Sequence, residues 1–258
     1  MDKIWKNSFE AYRKEGIISL IFLWLVFQYI LDFAQDDILF TGISDTWGMW
    51  CRILYSTVNV FWFGASYWIL FAIWMREIYT RNISFLVVSR TSSKRIWSGN
   101  LLKKGIWFAF LYPVIHFTLL CGVNIYLYGW NPPNTEEAAF RKLFLEMSIP
   151  EVVLETLLLR IVVSVMVVII IWMLFLLLHN VTIAVISSLF FCLISIIMVS
   201  FDSFGYYVFF PAGISFYYLL VGGKTVFTTA GGFLIGGFLA VFFVQKYFVQ
   251  KVELQKLR

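Results

Sequence analysis

From Ile161 to Leu178, eighteen residues pass with a single polar interruption, Ser164. Backbone surrounded by lipid must satisfy its N–H and C=O groups internally, so so long an apolar run has to be helical. It also has about the length needed to cross a bilayer. The rest of the chain is consistent with that constraint. Its 258 residues are 61% hydrophobic and 14% charged, with a mean hydropathy of +0.84. Soluble domains run at about 45–50% apolar and about 25% charged. The fold class expected is therefore an all-α integral membrane protein.

Six apolar runs predict spanning helices at roughly 16–34, 51–75, 106–128, 157–178, 182–200 and 226–245. Together they make a single membrane domain over 1–258, with no room for a folded soluble one. Lys and Arg set its orientation. With the N-terminus inside, 15 of the 20 basic residues fall on the inner side and ten of the fifteen acids on the outer. The positive-inside rule then places both ends in the cytoplasm and the chain in the cell membrane. The overall charge of +5 records this orientation rather than an affinity for nucleic acid. The first apolar run is too long for a cleavable signal and Asp32-Phe33-Ala34-Gln35 is a poor cleavage site, so the first span is expected to stay as an anchor. Cys51, Cys121 and Cys192 stand singly in different spans and match neither a disulfide framework nor a metal spacing.

Between the spans the pattern changes. Residues 1–15 place Ile4, Trp5, Ser8, Phe9 and Tyr12 on one helical face and charged residues on the other, as expected of a helix lying in the inner headgroup layer. The second outer loop opens on Pro132-Pro133, and Ala138, Ala139, Leu143 and Phe144 suggest a short amphipathic helix before Pro150. Only His179, Asn180 and Val181 separate the fourth and fifth spans, which predicts a tight antiparallel hairpin on the inner side. Residues 204–221 are apolar enough to cross, yet Pro211 and Gly213 break them and Phe and Tyr crowd them. A seventh crossing would also put the basic C-terminus outside. The expectation is a re-entrant or broken segment dipping in from the outer face over 201–225. In the last span Thr228, Gly232, Gly236 and Ala240 form a small-residue stripe at four-residue spacing, suited to packing inside the bundle or to a subunit interface.

Chemistry is sparse. Gly222-Gly223-Lys224-Thr225 resembles the end of a phosphate-binding loop, but Tyr218 stands where its first Gly is required. His116 and His179 lie in different regions with no acid at ligand spacing, so no metal site is expected. No catalytic residue, nucleophile motif or directly bound cofactor is expected, and the chain is not read as an enzyme. Polar groups inside spans are functional candidates. Arg160 lies near the outer end of the fourth span and is expected to snorkel outward or to pair with Glu155 or Asp32. His116 and Asn124, flanking the turn beyond Pro113, line a path or bond to a neighbouring helix.

The stretch FLVVSRTSSKRIWSGNLLKKG, 85–105, holds Arg90, Lys94, Arg95, Lys103 and Lys104 without one acid, and Phe85, Val88, Ile96, Leu101 and Leu102 dot it with apolar side chains. As a helix it would be a narrow apolar strip with a cationic rim, suited to an anionic leaflet or to a cleft on a cytoplasmic partner. Its Ser89-Arg90, Ser93-Lys94-Arg95 and Gly99-Asn100-Leu101-Leu102 resemble the coupling helix of type-2 ABC exporter membrane subunits, although Thr91 stands where proline is common and Asn100 where lysine is. The six spans, interfacial helix, hairpin and broken aromatic segment are similar to that family's layout.

The resemblance implies a permease without its own nucleotide site, driven by separate ABC ATPase subunits that hold the ATP and Mg. Those subunits would grip the coupling region 76–105 through Arg76, Glu77, Phe85, Val88, Arg90, Lys94, Arg95, Ile96 and Leu101. Two permease subunits, identical or related, would enclose a path lined or gated by His116, Asn124, Tyr207, Phe210 and Tyr217. The cargo would be amphipathic or hydrophobic, such as a peptide or bacteriocin-like molecule. A membrane-embedded accessory or immunity protein with no transport cycle is the competing expectation, and an integral membrane enzyme a third.

Overall fold

A computed structural model describes Gly16, Trp47, Trp50 and residues 57–82, 94–130, 145–200 and 225–249. The expected interfacial helix, most of the first span, the broken segment at 204–221 and the coupling residues Phe85, Val88 and Arg90 lie outside the described residues, as do Asp32, Tyr207, Phe210 and Tyr217. Among the described residues the regular structure is helical throughout, without a strand. The helices are α1 (Thr57–Asn82), α2 (Lys94–Tyr128), α3 (Ile149–Leu178), α4 (Val181–Ser200) and α5 (Thr225–Phe243), the last running on into a π-helical turn, Val244–Phe248. Two stretches, Lys94–Leu127 and Ile149–Leu178, are long and apolar enough to cross a membrane.

The ends of the helices depart from the hydropathy boundaries. The expected second span stops at 75, but α1 continues to Asn82, where Arg81 Nε donates to Glu77 one turn earlier. The expected third span starts at 106, but α2 begins at Lys94 and runs 35 residues without a break. Charge ends a hydrophobic run without ending a helix: Lys and Arg are good helix formers, and no proline or tight turn stands between Lys94 and Ile106; the proline of α2, Pro113, lies further along. The basic stretch from 94 to 105 is therefore not a separate helix. It is the first three turns of α2.

Start and stop signals are local and specific. At the head of α3 the N–H and hydroxyl of Ser148 both donate to the Glu151 carboxylate, at 2.8 and 2.9 Å, with Pro150 in the first turn where its missing N–H costs nothing. α3 ends at His179, in the left-handed region at φ 57, whose N–H reaches Phe175 O at 2.9 Å. Asn180 then caps α4, its Oδ1 accepting from the Ile183 N–H at 3.1 Å. The two-residue hairpin between α3 and α4 is thus as tight as the sequence suggests. α2 stops in the same manner, with Gly129 at φ 71 and its N–H on Ile125 O.

α3 is the hub. It packs against α2, α4 and α5, while α1 packs chiefly on α4 and also touches α2. Over half of the most apolar window of α3 is buried, against about a quarter of that of α2, so α2 lies at the periphery. A glycine marks each close crossing: a Cβ on Gly64 would stand 2.9 Å from Ile196 Cδ1, on Gly105 2.6 Å from Val168 Cγ1, and on Gly237 2.8 Å from Met166 Sδ. Small residues admit such approach between membrane helices, where dispersion and hydrogen bonds rather than the hydrophobic effect drive association.

Candidate functional site

α2 carries both features of functional interest, a cationic end and a buried polar cluster. Its first turns expose Arg95, Asn100, Lys103, Lys104 and Ile96, the last at 52%. The opposite face of the same turns is inside the protein: Trp97, Ser98, Leu101 and Leu102 are buried. Leu101, expected as a docking contact, is 2% exposed and belongs to the core. Of the described residues of the apolar strip, Leu101 and Leu102 are thus spent on packing against the chain's own helices, with Ile96 left outside.

The same end gathers the tips of the other helices. Trp97 meets Phe175 edge-on at 6.1 Å, and Tyr79 meets the same ring at 6.1 Å. Arg76 remains exposed and reaches Thr182 Oγ1 at the start of α4, at 3.4 Å, while Glu77 pairs with Arg81. Ser98 is fully buried, and its carbonyl accepts from the indole N–H of Trp172 at 3.0 Å. Lys94 is half-buried.

Deeper along α2, Tyr112 and His116 share a face at i, i+4, as do Arg160 and Ser164 on α3. These faces meet, with Tyr67 of α1 between them. Tyr67 Oη and Ser164 Oγ are 2.7 Å apart, and Arg160 Nη1 lies 3.3 Å from His116 Nδ1. A guanidinium only donates, so His116 Nδ1 accepts and its proton sits on Nε2. The Arg160 guanidinium carbon stands 5.5 Å from the ring centroids of both Tyr67 and Phe117. His116 packs edge-on to Tyr67 at 5.0 Å and stacks on Tyr112 at 6.2 Å. Arg160 is 1% exposed. It therefore does not snorkel outward: it turns into the bundle, because a cationic group among aromatic faces and an imidazole acceptor is better satisfied there than against lipid.

His116 thus bonds to a neighbouring helix, one of its two expected uses. Asn124 does not join the cluster. It lies two turns on, fully buried, donating to Leu120 O of its own helix at 2.9 Å. Tyr67, Tyr112 and Ser164 were not singled out by sequence. The Tyr112–His116 and Arg160–Ser164 spacings were the available signal; Tyr67 gave none.

Of the two expected uses of the small-residue stripe of α5, packing inside the bundle is not made by its described glycines. Gly232 and Gly236 are exposed, and among the described residues nothing lies within 4 Å of a Cβ on either. Ala240 is half-buried. Thr228 lies in the first turn of α5. The residue that α5 presses onto α3 is Gly237, against Met166 and Ile169.

Past the polar cluster, the far end of α2 is aromatic: Phe117 meets Trp50 at 5.5 Å, and Trp47 meets both Trp50 at 6.2 Å and Trp130 at 5.2 Å. Among the described residues there is no group of three or more His, Cys, Asp or Glu that could hold a metal ion. No protein-family model, curated protein or solved structure matches the chain.

Proposed function

We propose that the chain is the membrane-spanning subunit of an ATP-driven exporter of the type-2 ABC class. In this reading it crosses the cell membrane six times with both ends in the cytoplasm, works as a pair of identical or related subunits, and moves an amphipathic or hydrophobic substrate such as a peptide. ATP and Mg belong to a separate ATPase subunit, and the chain itself is not an enzyme.

The observation that carries the proposal is the continuity of α2. A 35-residue helix is about 50 Å long, well beyond the roughly 30 Å of a hydrocarbon core, so its cationic first turns protrude. Those turns offer Arg95 and Ile96 to a partner while their inner face is tied to α3 through Ser98 and Trp172. Gly105 against Val168 and His116 against Arg160 continue the antiparallel seam. A force applied at the protruding end would travel down a stiff pair of helices to a buried polar cluster rather than dissipate in a loop. Aromatic and aliphatic side chains dominate the remaining surfaces, which suits an apolar cargo.

Purification from the native host in mild detergent tests this reading. An ATP-hydrolysing subunit is expected to co-purify with the wild-type chain and to be lost from Arg95→Glu/Ile96→Asp, whose exposed positions leave the fold intact. A chain that purifies without ATPase activity, or a double variant that retains it fully, would instead favour an accessory or immunity protein.

A further inference from the structure

We infer that α2 carries a binding groove for an anionic phospholipid at its cationic end. A cavity of about 430 Å³ is lined by Gly99, Leu102, Lys103, Ile106, Trp107 and Phe110, one face of the helix over three turns. That volume is in the range of ligand sites. Its lining is ordered along the helix axis. Gly99 and exposed Lys103, with Leu102 beside it, stand at the protruding end, Ile106 and Trp107 follow at nearly one level, and Phe110 lies deepest.

This order matches a phospholipid in its bilayer position. A headgroup phosphate would meet the Lys103 ammonium, Trp107 would lie at the headgroup boundary where indoles concentrate, and an acyl chain would follow Ile106 and Phe110. The distance from Lys103 to Phe110 is about 10 Å along the axis. At the headgroup end the side-chain amide of Gln245 in the π turn lies near Gly99, 3.5 Å from where a Cβ on that glycine would stand.

Charge decides the occupant. The described turns around the groove carry Lys94, Arg95, Lys103 and Lys104 and no acid. An apolar cavity beneath a wholly cationic rim discriminates against a zwitterionic headgroup, whose own ammonium would face those lysines. The site rests on residence in a membrane and not on the exporter reading, so it stands or falls separately from ATPase association.

The test is native mass spectrometry of the detergent-solubilised full chain titrated with phosphatidylglycerol or phosphatidylcholine of identical tails. One phosphatidylglycerol is expected to bind about five-fold or more tightly than phosphatidylcholine, the effect of a single cation at the surface. Lys103→Gln should abolish that preference, and Lys104→Gln, outside the groove lining, should largely keep it. Equal retention of both lipids, or equal loss in the two variants, would mean unspecific annular lipid or diffuse surface charge and would overturn the site. A shift to dimer mass in place of lipid loss would mean that a second copy occupies the groove, and would overturn it too. Independently, tail-brominated phosphatidylglycerol should quench tryptophan fluorescence at a lower mole fraction than brominated phosphatidylcholine. Trp107→Phe should remove the difference; identical quenching curves in the wild type would count against the groove.

Discussion

The indole N–H of Trp172 donates to the backbone carbonyl of Ser98 at 3.0 Å, tying the cationic start of α2 to the last turns of α3. Both residues are fully buried. The carbonyl already lies in a helix, so the bond does not serve to complete secondary structure; it fixes one helix against another. With Gly105 on Val168 and His116 on Arg160 it forms a seam that holds α2 and α3 antiparallel from Ser98 to His116.

Trp172→Phe keeps most of the packing and removes the donor. The expected loss is about 1 kcal/mol, the usual net worth of one hydrogen bond. Trp172→Ala adds a large cavity and should cost about 3–5 kcal/mol. Unfolding in mixed detergent micelles measures both, and an equal effect of the two variants would assign all of the stability to packing.

Gly105→Val places a branched side chain where a Cβ alone would stand 2.6 Å from Val168 Cγ1. Destabilisation of about 1–3 kcal/mol is expected from the overpacking. Val168→Ala should restore a large part of it, because the clashing methyl is on that side chain. A double-mutant cycle reads the coupling directly, and purely additive effects would show that the helices do not meet there.

Arg160→Lys should fail to preserve the buried cluster. A compact ammonium does not reproduce a planar cation spread between the rings of Tyr67 and Phe117 while donating to His116. Losing two cation–π contacts and one buried hydrogen bond predicts about 2–4 kcal/mol. His116→Gln, which keeps an acceptor, should be the milder change. Thermal midpoints of the two variants against wild type rank them.

Gly237→Leu and Gly236→Leu should behave in opposite ways although the residues are neighbours. The first drives a side chain into Met166 and Ile169, with an expected cost of about 1–3 kcal/mol. The second projects from an exposed position and should change the stability of the monomer by no more than about 0.5 kcal/mol. Chemical-shift or melting comparisons of the two purified variants distinguish them.

Much of the local architecture was legible in residue order. The hairpin at His179-Asn180 and α4, expected as a span over 182–200, follow from turn residues and a run too apolar to be anything but helix, whereas the Ser148–Glu151 start of α3 lies two turns before the expected boundary at 157. Hydropathy was a poorer guide to helix length, because Lys94–Lys104 and Arg76–Arg81 end the apolar pattern without ending the helix.

Direction was decided only in three dimensions. In a soluble helix the polar stripe reveals which side faces the core, but α3 is apolar on every side, and lipid and protein interior select the same residues. The Arg160–Ser164 and Tyr112–His116 spacings marked a polar face on each helix but not which helix it would meet, and nothing in the order of residues could say that Leu101 is core while Ile96 is surface, or that Gly237 rather than Gly236 meets a neighbouring helix. The sequence by itself determined that the described chain is helical and lipid-compatible, since backbone hydrogen bonds must close within each segment. Which atoms of those helices touch was left to close packing among α1, α2, α3, α4 and α5, where a glycine or an indole N–H finds its partner only after the helices have come together.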